Sequence, residues 1–222
     1  MRNIFQSLRL SPLELRSRLY FVVGAGRAQG RSLRDLVQAA VAGGAGMVQY
    51  DGTGLSTREM VTEATELVWA CRQAKVPMVV YGRCDVALAC TAEGVHVEGD
   101  DMPVALARRL MGPSAIVGVT ARCLADAREA ERQGATYVSI GPVFASATDP
   151  ERAVVGLQGL EEIQAAVRIP VCAIGGIRVE NVSELRYSPA QMVAVVSAIS
   201  QAEDPMGATR ELVERLRRPQ AG

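Results

Sequence analysis

Two short apolar segments in the last third of the chain end in residues suited to bind an anion. Residues 171–177 are rich in β-branched side chains and contain Gly175 and Gly176, while residues 192–198 contain the hydroxyl of Ser197. Apolar runs of this length are typical of strands buried on both faces of a parallel sheet. Glycine lets backbone N–H groups approach an anion closely, and a following helix adds a favourable dipole. The two segments together predict a phosphate-binding cup, whereas the simpler alternative is that the glycine pair only turns the chain.

The rest of the chain repeats this strand–helix pattern. The strands are predicted at residues 19–23, 46–50, 77–81, 94–97, 115–119, 137–141, 171–177 and 192–198. The spacer over residues 179–185 is long enough for a short helix between the last two strands. Eight such units predict a parallel sheet covered by helices and closed into a (β/α)8 TIM barrel, with the cup after strands seven and eight. A doubly wound open sheet is the rival fold, but its phosphate loop would fall at residues 24–30, where the glycine spacing is wrong.

Composition and charge are those of an ordinary globular chain. Of the 222 residues 49% are hydrophobic, and the 24 Lys and Arg residues balance the 24 Asp and Glu residues. A neutral chain without a long apolar span gives no argument for a nucleic-acid or membrane partner. Five cysteines without a CxxC pair or a signal peptide predict a reducing cytoplasm. Because no linker divides the chain, we predict an N-terminal extension (1–17), one barrel domain (18–218) and a short tail (219–222).

Side chains that could do chemistry in a barrel lie where the strands end, on its carboxyl-terminal face. Several polar residues follow the predicted second to fifth strands at such positions. His96 is the only histidine. Because it lies inside the fourth strand, we favour a hydrogen-bonded histidine in or near the core over a catalytic one. Asp101 precedes Met102 and Pro103, a pattern more typical of a helix N-cap than of a metal ligand.

Four short segments carry a resemblance to a known family. Residues 94–97 (GVHV), 141–148 (GPVFASAT), 173–177 (AIGGI) and 195–199 (VVSAI) are similar to segments of the thiamin phosphate synthase family. That family includes the thiazole tautomerases of the TenI type, and the similarity extends over about residues 18 to 216. The resemblance implies a TIM barrel that joins a hydroxymethylpyrimidine diphosphate to a thiazole phosphate, with Mg²⁺-assisted loss of pyrophosphate. In such a reaction the protein must hold and neutralise the departing diphosphate.

The resemblance assigns the thiazole phosphate half of the site to residues that this chain retains. Hydroxyls and backbone donors are expected beside the phosphate at Ser146, Thr148, Gly175, Gly176, Val196 and Ser197. Asp101 matches one of two magnesium-binding carboxylates, so Mg²⁺ is the one cofactor that the resemblance implies. The expected ligand is a small phosphorylated molecule of the thiazole phosphate or thiamin phosphate type.

The diphosphate half of the site departs from the family pattern. After the second strand the family has Gln-x-Arg-x-Lys, whereas this chain retains the glutamine but replaces both cations. After the third strand its Asn-Asp pair is replaced, and a lysine of the sixth loop becomes an aspartate. Carboxylates at these positions repel a diphosphate unless a metal ion lies between them. We therefore expect a degraded diphosphate site that consists of Gln49, Asp51, Thr53, Tyr81, Gly82 and Asp149.

The tautomerase branch is also matched incompletely. That branch has an acid/base histidine after the fifth strand, where this chain has Arg122. Arginine does not release its proton near neutral pH, so Arg122 can hold an anion but cannot shuttle a proton. The catalytic residue therefore stays open, with Arg83, Thr120 and Arg122 as candidates.

Three hypotheses about function follow from these residues. The preferred one is a barrel of this family that binds a phosphomonoester and has lost ordinary synthase activity. The alternative is an active thiamin phosphate synthase whose diphosphate grip is rebuilt from Arg83, Arg122 or Arg152. The third is a non-catalytic phosphate-ligand sensor or a partner-binding barrel. In each case a homo-oligomer is compatible with the sequence.

Overall fold

A computed structural model describes residues 15–145 and 153–217 of the chain. Eight parallel strands close into one barrel in sequence order, so that the first strand pairs with the second and the eighth. This architecture confirms the predicted TIM barrel. The strands are β1 (Leu19–Gly24), β2 (Met47–Asp51), β3 (Met78–Tyr81), β4 (Gly94–Val97), β5 (Ile116–Ala121), β6 (Tyr137–Ile140), β7 (Val171–Ile174) and β8 (Met192–Val195).

Helices cover the outside of the barrel and follow most strands. They are α1 (Leu33–Gly43), α2 (Thr57–Gln73), α3 (Cys84–Ala89), α4 (Val104–Met111), α5 (Leu124–Arg132), α6 (Gly156–Ala166), α7 (Ser197–Ser200) and α8 (Pro205–Leu216). Polar side chains at their starts stabilise several of them. Ser32 accepts a hydrogen bond from Asp35 N at the start of α1, and Ser56 with Glu59 forms a capping box at the start of α2.

The connection between β7 and β8 differs from the prediction. The helix expected over residues 179–185 is wrong, because the segment contains only a 3₁₀ turn at Val182–Leu185. The side chain of Asn181 accepts from Arg178 N at 2.8 Å and donates to Gly176 O at 2.9 Å. Asparagine side chains that bond to nearby backbone in this way compete with regular helix formation.

Two apolar clusters fill the molecule, one on each side of the sheet. The larger cluster lies between the strands and the helices and includes Leu36, Leu67 and Leu160. The smaller cluster lies inside the barrel and includes Met47 and Met192. Because successive side chains of a strand point to opposite faces, every second residue of each strand lines the interior. That alternation brings side chains from all eight strands into one enclosed space.

The residues just before β1 are fastened to the barrel. Arg16 Nε donates to Ala45 O at 2.9 Å, and Ser17 Oγ donates to Gly44 O at 2.7 Å. Arg18 donates to Ala190 O at 2.6 Å, on the other side of β1. These bonds lie at the amino-terminal ends of the strands, away from the predicted site. Among the residues that the structure describes, no helix is both long enough and apolar enough to cross a membrane.

Candidate functional site

A chain of hydrogen-bonded side chains crosses the interior of the barrel. Tyr20 of β1 donates from its hydroxyl to Gln49 Oε1 at 2.7 Å and lies 2.9 Å from the hydroxyl of Tyr137. The Tyr137 hydroxyl lies 2.8 Å from His96 Nδ1, and His96 Nε2 lies 3.0 Å from Thr120 Oγ1. These hydrogen bonds thus link Gln49 of β2 to Thr120 of β5 across the interior of the barrel.

A glycine makes the central link of this chain possible. Gly118 of β5 pairs in register with His96 on one side and with Tyr137 on the other. A Cβ at Gly118 would lie 2.1 Å from Tyr137 Cζ. Because Gly118 has no side chain, the Tyr137 ring can reach across β5 and place its hydroxyl beside the imidazole.

His96 is buried and both of its ring nitrogens are hydrogen-bonded, which confirms the core histidine predicted from the sequence. Burial lowers its pKa to about 4, since the charged imidazolium loses its hydration inside the barrel. The ring of Tyr81 stacks on it with centroids 6.3 Å apart. His96 is therefore neutral at physiological pH.

Tyr81 and the loop after β4 form the acidic side of the barrel mouth. The Tyr81 hydroxyl donates to Glu98 Oε2 at 3.0 Å. Its pKa is raised, first by burial and then by the negative charges of Glu98, Asp101 and Asp51. A phenol with a raised pKa keeps its proton, so Tyr81 acts as a hydrogen-bond donor and not as a base.

Asp101 does not act as the predicted helix cap. The helix α4 begins after Pro103 with no side-chain cap, while Asp101 Oδ2 accepts from Glu98 N at 2.9 Å. Asp101 N donates in turn to Glu98 O at 2.8 Å, so the carboxylate closes a tight turn over residues 98–101 that ends before the N-cap of α4, Pro103. The prediction of an N-cap at Asp101 is wrong for this reason.

The described residues supply only one of the two carboxylates that the family resemblance pairs at a magnesium site. A Cβ at Gly82 would lie 3.2 Å from Asp101 Oδ1, so the two positions that the family resemblance pairs are neighbours. Gly82 supplies no carboxylate, and no group of three His, Cys, Asp or Glu side chains has metal-binding spacing in residues 15–145 and 153–217. Mg²⁺ at Asp101 stays a prediction.

The remaining polar residues after β2 satisfy each other. Asp51 Oδ1 accepts from Thr53 N at 3.0 Å and from Thr53 Oγ1 at 2.6 Å. This local turn occupies the positions where the family resemblance expects two cations. The structure therefore offers a hydroxyl and a carboxylate at this point of the mouth.

The two candidate arginines pair with carboxylates in the first turns of the helices that follow them. Arg83 pairs with Asp85 at 2.6 Å and also donates to Thr57 Oγ1 at 2.9 Å. Arg122 lies 3.6 Å from Asp126, and its side chain is 75% exposed. Both pairs are partly or largely exposed, so each can be exchanged for another anion, although Arg83 binds Asp85 with two hydrogen bonds, at 2.9 and 2.6 Å.

The glycine pair after β7 packs against the loop after β6. Gly175 and Gly176 both have positive φ, 94° and 66°. A Cβ on Gly176 would lie 2.3 Å from Phe144 O, and Phe144 N donates to Gly175 O at 3.1 Å. Only glycine fits this combination of left-handed backbone and close contact.

The predicted cup residues of β8 lie next to this glycine pair. Ile174 pairs with Ala194 in register, so the ends of β7 and β8 are adjacent. Val196 follows β8 directly and Ser197 begins α7. The structure therefore places Gly175, Gly176, Val196 and Ser197 at adjacent strand ends, and their binding of a phosphate stays a prediction. Ser146, Thr148, Asp149 and Arg152 lie outside the described residues.

Sequence reasoning missed the interior of the site. Tyr20, Gly118 and Tyr137 were not singled out, although they determine how His96 and Thr120 are held. A usable signal existed, since strand alternation places all three on the inward face, where a buried tyrosine hydroxyl requires a partner.

Fold and site together define a (β/α)8 barrel whose candidate site lies at the carboxyl ends of its strands. A family model described as thiamine monophosphate synthase matches residues 19–199. The chain belongs to this family, as the resemblance in its motifs predicted.

Relatives and a solved structure agree with this assignment. A thiamine-phosphate synthase of Chloroflexus aurantiacus is 49% identical over 196 residues, which cover 88% of this chain and 90% of the relative. One of Roseiflexus castenholzii is 42% identical over 198 residues, covering 88% and 87%. The structure of thiamine phosphate pyrophosphorylase from Pyrococcus furiosus has a TM-score of 0.82 at 36% identity, covering 90% of this chain and 96% of the other. These similarities support the alternative of an active synthase better than the preferred hypothesis of lost activity.

Proposed function

We propose that this protein is an active thiamin phosphate synthase that holds its diphosphate substrate with a rearranged set of cations. The observation that carries the proposal is the 49% identity to a relative named thiamine-phosphate synthase, which extends over 88% of the chain. As the family resemblance implies, the substrates are a thiazole phosphate and a hydroxymethylpyrimidine diphosphate.

The phosphomonoester is assigned to the cup at the ends of β7 and β8. Gly175 and Gly176 have the backbone conformation that lets peptide N–H groups face an anion. Ser197 adds a hydroxyl on the adjacent strand end. Held there, the thiazole would be oriented toward the barrel axis, where the inward side chains of β2, β4 and β5 meet.

The departing diphosphate is assigned to Arg83 and Arg122. Their present partners, Asp85 and Asp126, form exposed ion pairs, which contribute on the order of 0–1 kcal/mol each. A diphosphate carries more charge than one carboxylate and binds a guanidinium bidentately, so it can displace these partners. Neutralising the leaving group in this way lowers the barrier for its departure.

A second candidate function is supported by the acidic side of the mouth. Glu98, Asp101 and Asp51 all act on Tyr81, and Asp51 stands where the family pattern has a cation. Repulsion of a diphosphate by these groups supports a protein that binds a phosphomonoester without carrying out synthase chemistry. Because all five cysteines are free thiols, either function fits a reducing compartment such as the cytoplasm.

The test is a steady-state assay of thiamin phosphate formation by the purified protein, with and without Mg²⁺. We compare the wild type with Arg83→Gln, Arg122→Gln and the matched control Arg132→Gln, an exposed arginine of α5 that pairs with Glu129. Turnover that falls at least tenfold in Arg83→Gln or Arg122→Gln, but not in Arg132→Gln, would support the rearranged grip.

Other outcomes separate the two candidates. Turnover that survives in both mouth variants would exclude these arginines as the diphosphate site. A wild type without turnover that is nevertheless stabilised against heat by thiazole phosphate would favour the phosphomonoester-binding barrel.

A further inference from the structure

The hydrogen-bond chain inside the barrel has a direction that can be derived by counting protons. Gln49 Oε1 can only accept, so the Tyr20 hydroxyl donates its one proton to this oxygen. The 2.9 Å contact between Tyr20 and Tyr137 must then be donated by Tyr137. Since Tyr137 has no second proton, His96 Nδ1 must donate across the 2.8 Å contact to the Tyr137 oxygen.

The same count of protons determines the direction of the hydrogen bond between His96 and Thr120. A neutral imidazole carries one N–H, and burial keeps His96 neutral because its pKa is about 4. With the proton on Nδ1, Nε2 offers only a lone pair. Thr120 must therefore donate its hydroxyl proton to Nε2 across 3.0 Å.

We propose that Tyr20 and Tyr137 are positioning residues that hold His96 in its Nδ1–H tautomer and thereby turn the Thr120 hydroxyl so that its lone pairs face the barrel mouth. A ligand group that meets Thr120 must then be a hydrogen-bond donor. On β2, Gln49 turns its carbonyl oxygen toward Tyr20, so its amide N–H groups face away from Tyr20 and are the donors it can offer to a ligand. The inference concerns the resting protein and does not depend on which reaction the barrel carries out.

The packing around the hydrogen-bonded side chains holds them in a fixed arrangement. All of its members except Thr120 are buried, and the missing side chain of Gly118 is what allows Tyr137 to reach His96. The reversed direction would require Gln49 to turn its amide N–H toward Tyr20, and every proton in the chain would then move to the opposite side. Reversal gives the Nε2–H tautomer, so the two directions have different spectroscopic signatures.

The experiment is ¹⁵N NMR of the ligand-free protein labelled at histidine, at pH 7. Because His96 is the only histidine in the chain, its two ring-nitrogen signals are unambiguous. We expect a protonated Nδ1 and an unprotonated Nε2. A dominant Nε2–H tautomer would overturn the proposed direction.

Variants test whether the tyrosines act through the chain. Tyr20→Phe removes a hydroxyl that does not touch His96, which frees Tyr137 to donate to Nδ1, and we expect the Nε2–H fraction to rise severalfold. The matched control Tyr81→Phe keeps the ring stacked on His96 but removes the hydroxyl that bonds Glu98, and it should leave the tautomer unchanged. An unchanged tautomer in Tyr20→Phe, or an equal shift in Tyr81→Phe, would contradict the proposal that Tyr20 controls the His96 tautomer through Tyr137.

Thr120→Val provides a second test from the partly exposed end, where substitution is less disruptive to packing. In the proposed direction Nε2 needs no acceptor, so the Nδ1–H tautomer should persist in this variant. In the reversed direction Nε2–H would lose its acceptor, and a shift of the tautomer on this substitution would therefore count against the proposal.

Discussion

At the scale of single residues, burial decides the chemical character of the candidate site. Tyr81 and His96 would titrate near their ordinary values in water, but inside the barrel both are held in their neutral forms. The barrel mouth therefore combines neutral donors and acceptors from the interior with charged groups from the loops. Substitutions at these residues report on burial as much as on chemistry.

The lowered pKa of His96 predicts a specific loss of stability in acid. The pKa is about 6.5 in the unfolded chain and about 4 in the folded one, so the unfolded state binds more protons between these values. Stability is therefore retained above pH 6.5 and falls as the pH drops toward 4, by about 3 kcal/mol from this group. Urea unfolding of the wild type and of His96→Asn at pH 7, 5.5 and 4 measures it.

The variant serves as the control in that experiment, because all other titrating groups are common to both proteins. The free energy of unfolding should fall more steeply with acid in the wild type than in His96→Asn. Parallel pH curves would show that His96 does not carry a lowered pKa.

At the scale of elements, most of the strands and helices could be predicted from the sequence. In the described part of the chain, seven of the eight strands are followed by the expected helix, because apolar periodicity and caps such as Ser32 are local signals. The connection after β7 could not be predicted in this way. Its 3₁₀ turn depends on Asn181 bonding to Gly176 O, an interaction that local propensity does not reveal.

Gly176, which follows β7 and packs against the segment after β6, should be sensitive to substitution. In Gly176→Ala the new Cβ would meet Phe144 O and Ala145 O at a backbone angle that costs roughly 1–2 kcal/mol for an L-residue. We expect a lower melting temperature and at least tenfold weaker binding of thiazole phosphate, measured by calorimetry. Gly26→Ala is the matched control, because nothing lies within 4 Å of its Cβ.

The two effects of that substitution have different meanings. A stability loss without a change in affinity would place the phosphomonoester elsewhere than the cup. Equal behaviour of Gly176→Ala and Gly26→Ala would contradict the close packing itself.

At the scale of the whole molecule, closure of the sheet joins the two apolar clusters into one folding unit. Met47 is buried inside the barrel on β2, and Leu67 is buried outside it on α2. The two elements are in contact with each other. A closed barrel has no free edge at which part of the sheet could open separately. Damage to either cluster should therefore weaken the whole barrel.

Substitutions on the two sides of the sheet test this expectation. Met47→Ala and Leu67→Ala should each cost about 2–5 kcal/mol, as a cavity in a packed core does. The exposed control Leu106→Ala should change stability by less than about 1 kcal/mol. Thermal unfolding followed by far-UV and near-UV circular dichroism should give one coincident transition in every variant, and separate transitions would refute a single unit.

The sequence by itself determined the barrel and the membership of the family, because these depend on local patterns and short motifs. It also predicts the phosphate-binding role of Gly175, Gly176 and Ser197, which stays a prediction. Only the tertiary structure decided which side chains of the interior are hydrogen-bonded to each other. Tyr20, His96 and Tyr137 lie on strands far apart in the sequence, and they meet because barrel closure places alternate side chains in one enclosed space. The positions of the protons depend on these contacts, because the acceptor oxygen of Gln49 determines the direction of each hydrogen bond from Tyr20 to Thr120.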